Sequence, residues 1–363
     1  MNDFFFRISL FLFLLFIFGC KSGEIANNEN FKVKFLDEYV LPDNVFVKNT
    51  LVGGLSGIDF SNGVYYLVCD DSNNPRIYEA SIILDNYQIS KISIDKVLLI
   101  KDPSDFLDLE SIIFDSQSNS MLLTSEGHIN KKIDPLFISI DEKGDIKDRF
   151  NLPESFKANS LQRPRHNGTL EGLCIDFNKK GYWLGMELPL VVDGPEPQLE
   201  TTKSPVRITF IDSETKSPKK QFGYYLDPIA KKPLSSFSIN GLTDLLEYAD
   251  NKFLVLERSY SSGLGNQGNT IKLFKVDASK ATNTLNINSL ADTRFIPAKK
   301  ELLLNFESLR DRLTDNSVDN IEGITSGPVL PNGHKSLIVI SDNNFNIQEK
   351  QLNQFILLEL IED

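Results

Sequence analysis

Five stretches of this chain follow one plan, and that repetition constrains the fold more than any other feature. They read "GGLSGIDFSNGVYYLVCDDS" from Gly53, "DLESIIFDSQSNSMLLTSEG" from Asp108, "LEGLCIDFNKKGYWLGMELP" from Leu170, "GLTDLLEYADNKFLVLERSY" from Gly241 and "NIEGITSGPVLPNGHKSLIVISDN" from Asn320. Each has a polar anchor residue, an apolar strand, a turn, a second apolar strand and then an acid. The anchors Ser56, Glu110, Glu171, Thr243 and Glu322 recur at intervals of roughly 50 to 80 positions, too long for a lone hairpin and suited to a four-stranded propeller blade with its loops. Between and beyond the repeats the chain is a succession of short runs rich in Val, Ile, Phe, Tyr and Leu, broken by Gly, Asn, Asp, Pro and Ser, so the fold class is all-β. Five repeats plus the divergent strand-like stretch "PVRITFIDSE" from Pro205 favour a six-bladed β-propeller, with five and seven blades left open by counting alone. A ring of sheets leaves open edges unless the chain ends share a blade, and "FKVKFLDEYV" at Phe31 and "QFILLELI" at Gln354 are the strands expected to close it by pairing.

The hairpin geometry makes a prediction about charge. In an antiparallel hairpin, residues equidistant from the turn lie opposite one another. That rule sets Glu171 against Glu187, Glu110 against Glu126, Thr243 against Glu257 and Glu322 against Asp342, with Ser56 near Asp70 and Asp71. If the hairpins are the inner strands of successive blades, all their open ends point to one face of the ring. The acids then crowd one mouth of a central channel.

Like carboxylates a few ångströms apart either raise one another's pKa or share a cation. A hard, oxygen-loving ion such as Ca²⁺ suits them, since it accepts six to eight oxygens without strict geometry. Arg165, Arg163, Arg258 and Arg76 fall within a few residues of the same positions and offer the other means of neutralisation. The formal net charge of −12 fits cation binding and argues against nucleic acid as a partner. The 363 residues, 41% hydrophobic and 24% charged, are enough for one large ring.

The first residues tell a separate story. After Arg7, "ISLFLFLLFIFGC" is too short to span a bilayer comfortably and has the length of a signal-peptide core, ending in a lipobox-like Gly19-Cys20. The expected organisation is therefore a signal peptide over 1–19, a lipidated Cys20 and flexible tether over 20–30, and a propeller over 31–363. That places the protein at a bacterial cell envelope, anchored to the membrane by its N-terminal lipid on the periplasmic or outer-membrane surface. Cys69 and Cys174 sit in apolar strands as small hydrophobes, too few for a disulfide framework. His128, His166 and His334 lack metal-type spacing. "LNFESLRDRLTD" near Asn305 is the best candidate for a short helix.

The strings "RPRHNGTLEGLCIDFNKKGYWLGMELPLVVDGP", "YYLDP", "GLTDLLEYADNKFLVLERSY", "IKLFKVD" and "NIEGITSGPVLPNGHKSLIVISDNNFN" resemble the bacterial phytase-like family described as having esterase-like activity. The resemblance runs in the family's order from about Gly53 to the C-terminus. It implies a six-bladed propeller related to the calcium-dependent alkaline phytases, with Arg165, Glu171, Glu187, Glu257, Arg258, Glu322 and Asp342 on the family's motif positions. As an enzyme, the chain would hydrolyse a phosphoester or carboxylic ester of a small molecule, acting as a monomer. Ca²⁺ on Glu110, Glu171 and Glu322, with Glu126 and Asp342 nearby, would activate a bound water. Glu187 or Glu257 would orient that water as base, while Arg165 and Arg258 stabilise charge on the leaving oxygens. No G-x-S-x-G motif supports a serine nucleophile. Two alternatives remain: a non-enzymatic, envelope-anchored propeller that binds a ligand or partner at its acidic mouth, and a lactone or sugar-ester hydrolase. The loops "PLVVDGPEPQLETTKSP" from Pro189 and "SYSSGLGNQGNT" from Ser259 are expected beside the mouth.

Overall fold

The computed structural model describes residues 31–101, 106–347 and 350–362. The expected export signal, Cys20 and tether lie outside the described residues. Within them the chain forms five four-stranded antiparallel sheets and one two-stranded ribbon, Phe46–Val47 with Thr50–Leu51. In chain order from the inner strand outwards, the first blade is Leu55–Ser61, Val64–Cys69, Arg76–Asp85 and Gln88–Leu99. The second is Leu109–Asp115, Ser120–Ser125, Leu136–Ile140 and Ile146–Arg149, and the third Leu170–Ile175, Gly181–Met186, Pro205–Asp212 and Ser217–Tyr225. Ser238–Ala249, Lys252–Ser261, Asn269–Asp277 and Lys299–Asn305 form the fourth. The fifth combines Asn320–Ser326, Lys335–Asp342 and Asn353–Glu362 with Phe31–Leu41, so the first and last described strands pair, from Phe31 against Glu362 to Leu41 against Asn353.

The propeller therefore has five blades, not the six expected. "PVRITFIDSE" is no separate unit: Pro205–Asp212 pairs directly with Gly181–Met186 as the third strand of the third blade. A long loop separates the two strands in sequence, so the third strand stood apart from its own hairpin.

All five repeats are the inner hairpins of blades. Their turns follow local chemistry: Ser61 pairs with Val64 across Asn62 and Gly63, both at positive φ, the conformation that an Asn-Gly hairpin turn requires. The inner strands touch in chain order, and the fifth touches the first. Apolar cores fill the wedges between neighbouring blades, as where Trp183 of the third blade packs its ring 5.3 Å from that of Phe253 in the fourth. Polar side chains stitch every interface at its inner edge. Ser56 Oγ donates to Leu109 O (2.9 Å), Thr169 N to Glu126 Oε1 (3.0 Å), and Phe60 N to Thr325 Oγ1 (3.0 Å). Asp244 serves two neighbours at once, accepting from Leu173 N at 3.3 Å and Ile324 N at 2.9 Å. Buried backbone N–H groups at these seams thus find acceptors where the ladder offers none.

Cys69 and Cys174 are buried and free, as their apolar strands imply. The helical candidate near Asn305 is a 3₁₀-helix, Phe306–Arg312, with the Asn305 side chain accepting from Glu307 N at its start.

Candidate functional site

Every anchor residue of the repeat sits in a β-bulge. Leu55 pairs with Cys69 and Gly57 with Val68, leaving Ser56 as the extra residue. Glu171, Thr243 and Glu322 are skipped in the same way, between Leu170 and Gly172, Leu242 and Asp244, and Ile321 and Gly323. In the second blade the break falls between Leu109 and Ile112, around Glu110 and Ser111. A bulge sets two residues against one, interrupts the alternation of faces and re-aims a side chain. The residue after it is glycine in three blades, because the next inner strand passes close. A Cβ on Gly57 would lie 2.8 Å from Glu110 O.

The bulges correct the expected pairing. Glu187 N bonds to Thr169 O, so Glu187 lies opposite Thr169 and not Glu171. Glu126 N bonds likewise to Asp108 O, Asp70 N to Gly54 O, and Asp342 pairs with Asn320. In the fourth blade the equivalent partner of Gly241 is Arg258, while Glu257 pairs with Leu242. The ring of equivalent positions is therefore Asp70, Glu126, Glu187, Arg258 and Asp342: four acids and one arginine.

Four of these positions and the acidic bulge residues converge on a cavity of about 350 Å³, lined by Asp70, Asp108, Glu110, Glu126, Glu171, Arg258, Asn320, Glu322 and Asp342 from all five blades, and also by Asn167, Tyr260 and Asn269. Carboxylate oxygens of Glu126, Glu171 and Glu187 all lie within 4.8 Å of one another, and so do those of Asp108, Glu110 and Glu126. Either triad could hold a metal ion, and they share Glu126. Glu187 is only 1% exposed. Its Oε1 meets Arg258 Nη2 at 3.2 Å, whereas its Oε2 is buried without a hydrogen-bond partner. Arg258 Nη1 reaches Glu322 Oε1 at 3.0 Å and Asn320 Oδ1.

Burial dominates the electrostatics. It raises Glu126 to about 8, with Glu187 adding to the effect, and Glu187 to about 7 despite the opposing pull of Arg258. Glu322 also rises to about 7, through burial against the same arginine, and Asp70 and Asp108 to about 6. Glu110, Glu171 and Asp342 are pushed well above the carboxylate range, first by burial and then by neighbouring carboxylates. Arg258 is held more firmly protonated: the acids around it outweigh its own burial. One fixed cation thus serves a surplus of acids, and the oxygen-only donor set with an orphaned buried oxygen fits a hard divalent ion.

The structure brings together Glu110, Glu126, Glu171, Glu187, Arg258, Glu322 and Asp342, but Glu322 and Asp342 belong to neither triad. Glu322 instead pairs with Arg258. Two expected catalytic residues fall outside. Glu257, one position off the ring, accepts from Asp227 N and the Asn240 amide (2.8 Å each) and pairs with Lys300 Nζ at 2.6 Å in a network between strands. Arg165 does not line the cavity; it bonds Gly194 O at 2.8 Å and Glu196 at 3.3 Å. Arg76, at the start of the first blade's third strand, is buried and paired with Asp71. Sequence reasoning passed over Asp108, whose signal was its place two residues before the Glu110 anchor. Of the two expected rim loops, the one after Ser259 contributes Tyr260 and Asn269. The other, after Pro189, lines a separate cavity and is pinned by a buried pair, Asp193 with Arg207 Nε at 2.6 Å.

Residues 50–345 match the model of the phytase-like family described as "Esterase-like activity of phytase". The chain belongs to this family. No curated protein matches it. Among solved structures this phytase-like chain is similar to a glutaminyl cyclase of Myxococcus xanthus (11% identity, 90% of this chain and 97% of that one, TM-score 0.39). It is similar also to a duf4221-family protein of Bacteroides vulgatus (11%, 91% and 98%, 0.38) and to the catalytic domain of the GH62 α-L-arabinofuranosidase of Coprinopsis cinerea (9%, 91% and 97%, 0.41). Likeness at this level does not reach the chemistry of the phytase-like mouth.

Proposed function

We propose that the channel mouth holds a hard divalent cation, Ca²⁺, on Glu126, Glu171 and Glu187 with Asp108 and Glu110 beside them, and that the protein hydrolyses a phosphoester or carboxylic ester there. The observation that carries this reading is the pair of carboxylate triads sharing Glu126, with the buried Oε2 of Glu187 left without a partner. When bound, such a cation neutralises a phosphate or polarises an ester carbonyl and makes water more acidic. The chain's own groups supply the remainder. Glu322 Oε1 is fixed by Arg258 and the Asn320 amide (3.0 Å each), and its carboxyl, near pKa 7, is matched to accept a proton from an attacking water. Arg258 stands beside it to stabilise negative charge as it develops. The N-terminal segment, read as an export signal with a lipid-bearing Cys20, would place this chemistry at the cell envelope, with membrane contact through the lipid alone.

The test is calorimetric titration of purified protein with Ca²⁺, alongside hydrolysis of phosphomonoesters, acyl esters and lactones with and without EDTA. Glu187→Gln should weaken calcium binding at least tenfold. Glu322→Gln should still bind calcium yet lose turnover by roughly 10²-fold or more. Turnover indifferent to EDTA would eliminate the cation from the mechanism, and silence across the panel with calcium bound would leave a binding protein.

A further inference from the structure

A second chamber of about 510 Å³ lies beside the acidic mouth, and Asp70, Asn344 and Ile347 line both. The two spaces are neighbours across a ridge formed by the turn Asn344–Asn346, whose three residues all have positive φ. Asp342 Oδ1 and Asn343 Oδ1 hold that turn by accepting from Asn344 N (2.8 Å) and Phe345 N (3.2 Å). A ligand reaching across the ridge would therefore have one end among the carboxylates and the other over the first blade.

The chamber's chemistry differs from that of the mouth. Six of its twelve lining side chains are uncharged amides or hydroxyls, and the amides of Asn49, Asn73 and Asn74 are exposed. Phe345 contributes an aromatic wall, with the Arg76 guanidinium 5.5 Å from its ring centre. Arg76 is the chamber's one cationic side chain and is already engaged. It is 2% exposed and donates to Tyr78 Oη (2.7 Å), Asp71 (2.8 Å), Asn74 O (2.8 Å) and Leu51 O (3.1 Å). A phosphate entering here would meet Asp70 and Asp71 with no spare positive charge, so an anionic occupant is disfavoured. A hydrocarbon would strip water from amides without replacing their hydrogen bonds. A ring or chain carrying several hydroxyls satisfies both constraints, offering donors to the carboxylates, either sense to the amides, and C–H faces to Phe345.

We propose that this chamber seats an uncharged, hydroxyl-rich part of the substrate, a sugar or polyol, while the ester bond lies in the mouth. The proposal rests on the hydrolase reading for the role of the mouth but not for binding in the chamber. The test uses the whole protein with calcium present. Saturation-transfer NMR with maltose, a neutral disaccharide, should show contact in the wild type and none in the double variant Asn73→Leu/Asn74→Leu, which alters exposed side chains that do not line the mouth. On acetylated or phosphorylated sugars the double variant should raise KM about tenfold, the worth of two uncharged hydrogen bonds, with phenyl acetate or phenyl phosphate unchanged. Equal loss on sugar and phenyl esters, or no maltose contact in the wild type, overturns the chamber. Maltose binding that the double variant abolishes, in a protein that cleaves no ester, keeps the chamber and discards the hydrolase. Cleavage of phenyl esters without maltose contact does the reverse.

Discussion

Glu257 and Arg258 are adjacent in sequence and do opposite work. Successive residues of a strand face opposite sides, so a shift of one register position moved the acid out of the mouth and the arginine in. Glu257→Gln should therefore leave calcium affinity within about twofold while lowering stability by about 2 kcal/mol through the lost pairing with Lys300, measured by urea unfolding in calcium and in EDTA. Arg258→Met leaves Glu187 and Glu322 buried against each other without their shared counter-charge. It should cost about 3 kcal/mol or more in EDTA, and saturating calcium should recover part of that loss. Equal losses with and without the ion would disconnect the arginine from the cation site. The acidic character of the mouth was legible in the sequence because each repeat ends its second strand with an acid. Which of two neighbours points inward was not legible, because the bulge that decides it inserts a single residue into otherwise regular alternation.

At the scale of strands, the inner hairpins could be read directly: continuous apolar runs flank polar turns, and every one of the five proved to be a hairpin. The outer strands carried no common pattern. Pro205–Asp212 looked like an independent unit only because the loop before it is long, and that misreading supplied the sixth blade. The glycine after the bulge is the element-scale device that sets how closely inner strands approach. Gly57→Ala pushes a methyl group to within 2.8 Å of Glu110 O. It should destabilise the protein by about 1–3 kcal/mol and, by displacing Glu110, weaken calcium binding as well. Both changes can be followed in one series of calcium-dependent thermal melts, and unchanged midpoints would refute the close-approach argument.

The acids set the pH response of the whole molecule. Glu126, Glu187 and Glu322 have folded pKa values of about 8, 7 and 7, above the ordinary carboxylate value of 4.5. A raised carboxyl favours folding while protonated, so this contribution is fully present below about pH 4.5 and is lost as pH rises through 7 to 8. In EDTA the melting midpoint should fall between pH 5 and pH 8 by about 5 °C or more. Calcium should restore it mainly at the higher pH, releasing protons as it binds. A flat profile in EDTA would mean the mouth acids are not protonated in the apo state. Arg258 carries a further consequence for how the protein is made. Because one positive charge is built into the polypeptide and sits among the acids from the start, the newly made chain has a resident placeholder, and the ring can assemble before any mineral ion arrives. On the proposed reading the ion is a late addition to a finished scaffold, so refolding from denaturant should proceed in chelator.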